Sequence, residues 1–222
     1  MKNKPFKIIA FDVDGTLVRE NSTWVTLHNH FQTNNLAKRN LTSYNIGAID
    51  YPTFMRLDIA LWPKHIHVDT IKKILYDYTL VPKADPVIKK LKKEGYEIAL
   101  ISAGIDILVR DVAKKLEINN FVANGLEFDK EGYITGEGIF HVDLNSKHVA
   151  LKDLLDELGF SIEECIAVGD SSYDKTFLES TGLGITVGED SPLKNTANHA
   201  IANLEDILDL DFSHQSHSLT LI

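Results

Sequence analysis

Cysteine is almost absent from this chain of 222 residues, which contains only Cys165. A single cysteine excludes an intrachain disulfide, and its apolar neighbours in "ECIAVG" predict a buried, unreactive thiol. Long apolar runs are also missing, because "YEIALISAGIDILV" is interrupted by polar residues and the apolar run near the N-terminus is too short for a signal peptide. We therefore expect a cytoplasmic protein with no membrane partner.

Positive charge is scarce as well. The chain has 23 basic and 32 acidic residues, a formal net charge of −9, which argues against nucleic acid as the main partner. The length and the 44% hydrophobic content are sufficient for a full core and a small second domain. The composition leaves the oligomeric state open. Residues 211–222, which include His214 and His217, are polar without a period and predict a flexible tail.

Three segments share one pattern, in which an apolar run is followed by a small polar cluster and then by helical periodicity. They are "FKIIAFDVDGT", "YEIALISAG" and "ECIAVGDSSYD", and a fourth apolar run, "LGITVG", follows them. Near-continuous apolar runs are typical of parallel strands that are buried on both faces. The pattern predicts an α/β protein with a doubly wound parallel sheet, whose ligands bind at the carboxyl ends of the strands.

Helix boundaries can be read at two places. In "ADPVIKKLKKEG", Asp85 is the predicted N-cap, Pro86 the first helical residue and Gly95 the end. In "SKHVALKDLLDELG", the helix is predicted to begin at Ser146 and to end at Gly159. Strand and helix therefore alternate from about residue 83 onward.

The connection between the first two predicted strands is several times longer than an ordinary crossover. Its apolar residues recur at helical spacing, which predicts a helical cap over residues 17–82 inserted into a core of residues 1–16 and 83–210. A β-hairpin is expected near residues 130–132, in "NGLEFDKEGYITGEG". The histidines have no metal-ligand spacing and are interpreted as ordinary surface or cap residues: His28, His30, His65 and His67.

Carboxylates follow two of the predicted strands. Asp12 in "FDVDGT" can attack an electrophilic phosphorus and form an acyl phosphate. Asp14 can then protonate the departing alkoxide and later deprotonate the attacking water. Acids beside a phosphate require a hard cation, for which Mg²⁺ fits best, and Asp170 in "VGDSSYD" adds a third carboxylate. We predict Mg²⁺ held by Asp12, Asp14 and Asp170.

Small and basic residues at the same predicted edge suit a phosphate. The Ser102 hydroxyl, with the amides of Ala103 and Gly104 at a helix start, is expected to bind phosphate oxygens. Lys147, just inside a predicted helix, is expected to counter the charge of the transferring group. Thr16 can donate its hydroxyl to a phosphate or to the turn.

Asp174, one helical turn after Asp170, is expected to orient a ligand, a water or Lys147. Each of these features occurs alone in ordinary turns and helix starts. Their order along the chain, each at the end of a predicted buried strand, favours a joint catalytic role.

Four motifs, "DVDGT", "SAG", Lys147 and "GDSSYD", resemble those of the haloacid dehalogenase superfamily of phosphohydrolases. The resemblance spans most of the chain and is greatest to the phosphoserine phosphatase branch, which has a helical cap after the first motif. It implies a Rossmann-like core, bound Mg²⁺, Asp12 as nucleophile and Asp14 as acid and base. It also implies that Arg56 binds a substrate carboxylate, a task that suits a guanidinium group.

Three positions depart from that branch. A substrate-reading Glu is expected where Asn21 stands, beside Glu20; a glycine is expected where His148 stands; and an Asn is expected where Tyr173 stands. These departures concern substrate contacts and leave the phosphoryl-transfer residues in place.

The sequence thus predicts a Mg²⁺-dependent phosphomonoester hydrolase acting on a small metabolite, with phosphoserine as the leading candidate. Two alternatives remain open. One is a phosphomutase or phosphotransferase that passes the phosphoryl group from the aspartate to an acceptor other than water. The other is a phosphate-binding module without activity.

Overall fold

The computed structural model describes residues 4–20 and 22–213. The strands in this part of the chain are Ile8–Phe11 (β1), Glu97–Ile105 (β2), Asn120–Phe128 (β3), Ile134–Ile139 (β4), Cys165–Gly169 (β5), Leu183–Val187 (β6) and His199–Ile201 (β7). The α-helices are Thr23–Phe31 (α1), Asn34–Asn45 (α2), Tyr51–Ile59 (α3), Val68–Leu75 (α4), Ala84–Lys93 (α5), Asp106–Lys115 (α6), Lys147–Leu158 (α7) and Lys175–Glu179 (α8).

The strands form one sheet in the order β4-β3-β2-β1-β5-β6-β7. Every neighbouring pair is parallel except β3 and β4, which form the antiparallel hairpin. All residues of β1, β5 and β6 are buried, as expected for parallel strands covered on both faces. The chain winds outward from β1 in both directions, so the predicted doubly wound α/β fold is confirmed.

The strand order places a topological switch point beside β1. Phe11 is in register with Leu100 of β2 on one side and with Val168 of β5 on the other. The residues that follow these positions therefore emerge at one edge of the sheet, where open α/β sheets bind ligands.

Helices α1 to α4 lie between β1 and α5 in the chain, within the segment predicted to form the helical cap. Backbone hydrogen bonds join this segment to the hairpin, from Val68 N to Gly132 O at 2.8 Å and from Ile134 N to Ile66 O at 3.0 Å. The Trp24 and Trp62 rings stack at 5.7 Å within it. The limits of the cap at residues 17 and 82 stay a prediction.

Two helix starts differ from expectation. Helix α5 begins at Ala84 with Lys83 as its N-cap, so Asp85 lies in the first turn. Pro86 is the third residue of this helix, so the prediction that it is the first helical residue is wrong. Proline is tolerated there because the first few N–H groups of a helix have no intrahelical partner. The segment "SAG" lies inside β2, and α6 starts only at Asp106. By contrast, α7 has Ser146 and Gly159 as its caps, as predicted.

Buried packing extends to the end of the described residues. Phe212 is buried and meets the Tyr96 ring edge to face at 6.0 Å, although it falls in the segment predicted to be a flexible tail. Residues 214–222 of that segment, which include His214 and His217, lie outside the described residues. Cys165 is fully buried, as predicted. None of the described helices has the length and apolar character needed to cross a membrane.

Candidate active site

A cavity of about 410 Å³ opens at the carboxyl ends of β1, β2 and β5. Residues from these strands, from the loops after them and from α7 line it: Asp12, Asp14, Ser102, Ala103, Gly104, Lys147 and Asp170. Helices α1, α2 and α3 contribute most of the remaining wall. The structure therefore gathers most of the predicted site residues at the switch point, over a sequence separation of more than 150 positions.

Lys147 joins two of the acids. Its Nζ lies 2.7 Å from Asp12 Oδ1 and 2.6 Å from Asp174 Oδ1, and all three side chains are buried. Burial raises the pKa of Asp12 well above its usual range, Lys147 opposes this shift, and the charges of Asp174 and Asp170 add to it. Burial alone would lower the pKa of Lys147, but Asp12 and Asp174 outweigh it and raise that pKa.

Asp174 uses both of its oxygens. Oδ1 accepts from Lys147, while Oδ2 accepts from the backbone N–H groups of Asp170 and Ser171 and from the Ser171 hydroxyl, at 2.9 to 3.2 Å. The carboxylate thus links Lys147 to the loop after β5. The orienting role expected for Asp174 stays a prediction.

Asp14 is oriented from the cap. Its Oδ2 accepts from the backbone N–H of Thr23 at 3.2 Å and from the Thr23 hydroxyl at 3.4 Å. Its Oδ1 is buried without a hydrogen-bond partner among the described residues. Burial raises the pKa of Asp14 to about 6, which the hydrogen bonds from Thr23 oppose.

Asp170 accepts a 2.8 Å hydrogen bond from the fully buried Thr16 hydroxyl. Thr16 is not among the residues that line the cavity, so in this structure it holds Asp170 and does not face a phosphate. Gly15 allows this approach, because its φ is +86° and a Cβ there would lie 2.5 Å from Asp170 Oδ2. Burial and the charge of Asp174 raise the pKa of Asp170 to about 6.

The carboxylates fit a hard divalent cation. Asp12, Asp170 and Asp174 each offer an oxygen, and these atoms lie within 4.8 Å of one another. Oxygen ligands suit Mg²⁺, and a cation would relieve the mutual repulsion that, after burial, contributes to the raised pKa values of Asp12 and Asp170. The Asp14 side chain is outside this group of three, so its predicted role as a ligand stays a prediction.

The turn expected to bind phosphate, residues 102–104, lies at the irregular end of β2, where the register with β3 shifts. It is held by its own side chain and by the cap. Gly104 N donates to Ser102 Oγ at 2.9 Å. The Ala103 carbonyl accepts from Trp24 Nε1 at 3.1 Å and from Tyr51 Oη at 2.8 Å. Two cap helices therefore fix the orientation of this turn.

Sequence reasoning missed several residues that support the site. Thr23, Trp24 and Tyr51 act from the cap, and Asn124 of β3 donates to the Ala103 carbonyl at 3.0 Å. Asn124 is fully buried, and its side chain also bonds to the backbone of Val142 in both directions. These residues belong to no recognisable short motif, because their partners lie far away in sequence.

The predicted substrate residue Arg56 is not brought to the cavity, because it is exposed and lies outside the lining. Glu20 accepts from Thr79 N at 3.1 Å, so it joins two ends of the cap, and it is absent from the lining as well. Asn21 lies outside the described residues. Tyr173 lines the cavity, and its hydroxyl accepts from Asn45 Nδ2 of α2 at 3.1 Å.

His148, another of the unusual positions, follows Lys147 in α7. Its Nδ1 is buried without a partner among the described residues. His28 is buried in α1 and lines the cavity beside Asp58. It is thus a cap residue, as expected, but not a surface residue.

Fold and site together define a class of protein: a doubly wound α/β core with a buried aspartate paired to a lysine and with carboxylates that could hold a cation, all at the switch point. The family model for haloacid dehalogenase-like hydrolases matches residues 9–179, and the chain belongs to this family. This confirms the predicted enzyme class, a phosphatase of the haloacid dehalogenase type.

Individual relatives agree with this assignment. The phosphoserine phosphatase of Methanocaldococcus jannaschii is 29% identical over 92% of this chain and 97% of that protein. A probable phosphoserine phosphatase of Schizosaccharomyces pombe is 29% identical over 81% of this chain and 60% of that protein. A solved structure of a phospho-aspartyl intermediate analogue of phosphoserine phosphatase has a TM-score of 0.77 and 28% identity, over 93% of this chain and 99% of that one. The resemblance to the phosphoserine phosphatase branch is confirmed.

Proposed function

We propose that this protein is a Mg²⁺-dependent phosphomonoester hydrolase that forms a phosphoaspartate on Asp12. The observation that carries the proposal is the position of Asp12 at the end of β1, in the cavity, 2.7 Å from the Lys147 ammonium. A phospho-aspartyl intermediate analogue has been solved for a phosphoserine phosphatase of similar fold, which supports the same route here.

Asp12 attacks the phosphorus through one carboxylate oxygen, and the P–O bond to the alcohol breaks as the O–P bond to Asp12 forms. The Lys147 ammonium, held by Asp174, neutralises charge on the transferring group. Ser102 and the turn after it contact the phosphate oxygens. Water then attacks the phosphoaspartate and releases inorganic phosphate, which regenerates Asp12.

Asp14 transfers the proton in both steps. A pKa of about 6 allows it to donate a proton to the leaving alkoxide and then to accept one from the attacking water. The two hydrogen bonds from Thr23 fix the position of Asp14 Oδ2. Asp14 Oδ1 has no hydrogen-bond partner among the described residues.

Asp12 and Asp170 would hold Mg²⁺, with Asp174 beside them. The ion supplies charge neutralisation between the carboxylates and the phosphate dianion. Thr16 keeps Asp170 oriented toward this site.

The test uses p-nitrophenyl phosphate and the purified protein with Mg²⁺. Asp12→Asn should lower the turnover by at least about 10³-fold and should abolish the gain of one phosphoryl group in the intact protein mass after acid quenching. The exposed Asp85→Asn is the matched control and should keep both properties. Undiminished turnover in Asp12→Asn would refute the role of Asp12.

Asp14→Asn separates the proton carrier from the nucleophile. It should impair an alkyl phosphate more than p-nitrophenyl phosphate, because p-nitrophenolate leaves without protonation. Equal losses on both esters would count against the proton-transfer role. Transfer of the phosphoryl group to added alcohols in preference to water would favour the phosphotransferase alternative.

The identity of the ester is a separate question. The names of the relatives make phosphoserine the first ester to assay. Arg56, which the resemblance implies as the partner of the substrate carboxylate, is exposed and outside the cavity lining, so its position lends that contact no support.

A further inference from the structure

The cap side of the cavity has a mainly apolar wall. Helices α1, α2 and α3 contribute Trp24, Val25, Ala37, Leu41, Tyr51 and Phe54 to it. The three aromatic side chains are buried, and both the Trp24 indole N–H and the Tyr51 hydroxyl are already bonded to Ala103 O. The faces that they present to a substrate are therefore apolar, and they have no free donor for a carboxylate.

A buried polar pair, His28 and Asp58, also lines the cap side. The Trp62 indole N–H donates to His28 Nδ1 at 3.2 Å, and an indole nitrogen can only donate. His28 Nδ1 also lies 2.7 Å from Thr33 Oγ1, and His28 Nε2 lies 3.0 Å from Asp58 Oδ2. Asn40 Nδ2 donates to Asp58 Oδ1 at 2.7 Å.

Both oxygens of Asp58 thus lie within hydrogen-bond distance of a partner inside the protein, as do both ring nitrogens of His28. The pair therefore has no free donor to offer to a substrate carboxylate.

No buried cation in the described lining is free to pair with a substrate carboxylate. Lys147 is held between Asp12 and Asp174. Lys38 lines the cavity but is exposed, so its ammonium keeps its hydration, and Arg56 is outside the lining. A substrate carboxylate would lose its own hydration without gaining a fixed partner, which is costly.

We infer that the alcohol part of the substrate has an apolar, ring-sized body and no carboxylate. The inference rests on the proposed phosphatase function and specifies its substrate class. The cavity volume of about 410 Å³ is within the range of small-molecule sites and accommodates such a group together with the phosphate. Phosphoserine, with its carboxylate, falls outside this class.

Two matched pairs of esters test the inference with the full chain and Mg²⁺. Phosphoethanolamine and phosphoserine differ by the carboxylate, and kcat/KM should be at least about tenfold higher for phosphoethanolamine. Benzyl phosphate and methyl phosphate have alcohols of similar acidity and differ by the ring, and kcat/KM should be at least about tenfold higher for benzyl phosphate. Each tenfold ratio corresponds to about 1.4 kcal/mol of transition-state binding. Equality within either pair, or a preference for phosphoserine, would overturn the inference.

Three variants locate the origin of the selectivity. Asp58→Asn replaces the carboxylate on the cap side by an amide of nearly the same size and should narrow the ratio of kcat/KM between phosphoethanolamine and phosphoserine at least about threefold. Arg56→Ala and Lys38→Met should each change that ratio less than about twofold. A loss confined to phosphoserine in either of these two variants would show a carboxylate reader and would overturn the inference.

The outcomes separate this inference from the proposed function. If phosphoserine is hydrolysed best, the phosphatase proposal stands and the substrate class is wrong. If neither p-nitrophenyl phosphate nor any of the four esters is hydrolysed, both are wrong. Should Asp58→Asn fail to fold, the two ester pairs assayed with the unaltered protein still decide the inference.

Discussion

Replacing Gly104 by alanine tests whether the turn after Ser102 must lie directly against the catalytic acid. A Cβ at this position would lie 2.4 Å from Asp14 Oδ2, 2.7 Å from Thr23 Oγ1 and 3.0 Å from Ser102 Oγ. Gly104 does not have a positive φ, so the backbone itself accepts alanine. The perturbation is therefore steric and is directed at three side chains of the proposed site.

The size of the effect follows from the overlap. Ordinary contact begins at 3.4 Å, so the Asp14 carboxylate or the turn must move by about 1 Å. A misplacement of this size can cost about 10²-fold in rate, or about 2.7 kcal/mol of activation free energy. The free energy of unfolding should fall by about 1 to 3 kcal/mol, as for other small-to-large replacements in packed regions.

The assay is steady-state hydrolysis of benzyl phosphate, with urea unfolding measured in parallel. Gly138→Ala is the matched control, because its Cβ would also lie 2.4 Å from a neighbour, but that neighbour is the flexible end of Met55, outside the cavity lining. It should keep kcat/KM within about threefold of the unaltered protein. If Gly104→Ala also stays within threefold, or if both variants lose the same activity, the assignment of this turn to the reacting geometry is refuted.

Three further predictions concern the buried ionisable groups. Because burial raises the folded pKa of Asp14 to about 6, its contribution to stability in the metal-free protein is greatest below pH 4 and is lost as the pH rises through 6. In EDTA, the free energy of urea unfolding of Asp14→Asn, relative to that of the unaltered protein, should therefore rise by up to about 3 kcal/mol between pH 4 and 7. A difference between the two proteins that does not change with pH would contradict this. Burial raises the pKa of the Cys165 thiol to about 12, so the thiolate fraction at neutral pH is on the order of 10⁻⁵. A thiol reagent should therefore label the folded protein at least about 100-fold more slowly than the unfolded protein. Equal labelling rates would show that the thiol is accessible. Asp174→Asn turns an amide N–H₂ toward Lys147 or toward the loop amides and should lower the free energy of unfolding by about 3 to 5 kcal/mol. The control Asp156→Asn, at an exposed ion pair, should lower it by less than about 1 kcal/mol. Similar losses in the two variants would contradict the linking role of Asp174.

Most of the core and of the phosphoryl-transfer site could be predicted from local patterns. Asp12, Ser102 and Asp170 each follow or end an apolar run, and the carboxyl ends of neighbouring parallel strands meet at one edge. Residues of separate motifs therefore lie close together because their strands are neighbours in the sheet. The fold class and the family followed from the same signals.

The contacts of the cap could not be predicted in this way. Arg56 and Asp58 are two residues apart in α3, and helical geometry points them in different directions, so that one is exposed and the other is buried beside His28. Which of them reaches the cavity depends on how the helix packs. Thr16 likewise has a strong local pattern, yet its hydroxyl donates to a residue 154 positions away.

By itself, the sequence determined the strand and helix alternation, the family and the acids available for phosphoryl transfer, because these depend on short-range periodicity and on motif spacing. Only the tertiary structure decided the surroundings of those acids: the lysine between Asp12 and Asp174, the cap donors on Ala103 and the buried pair of His28 and Asp58 on the cap side. These are set by packing between segments far apart in the chain, where local residue preferences carry no information about partners.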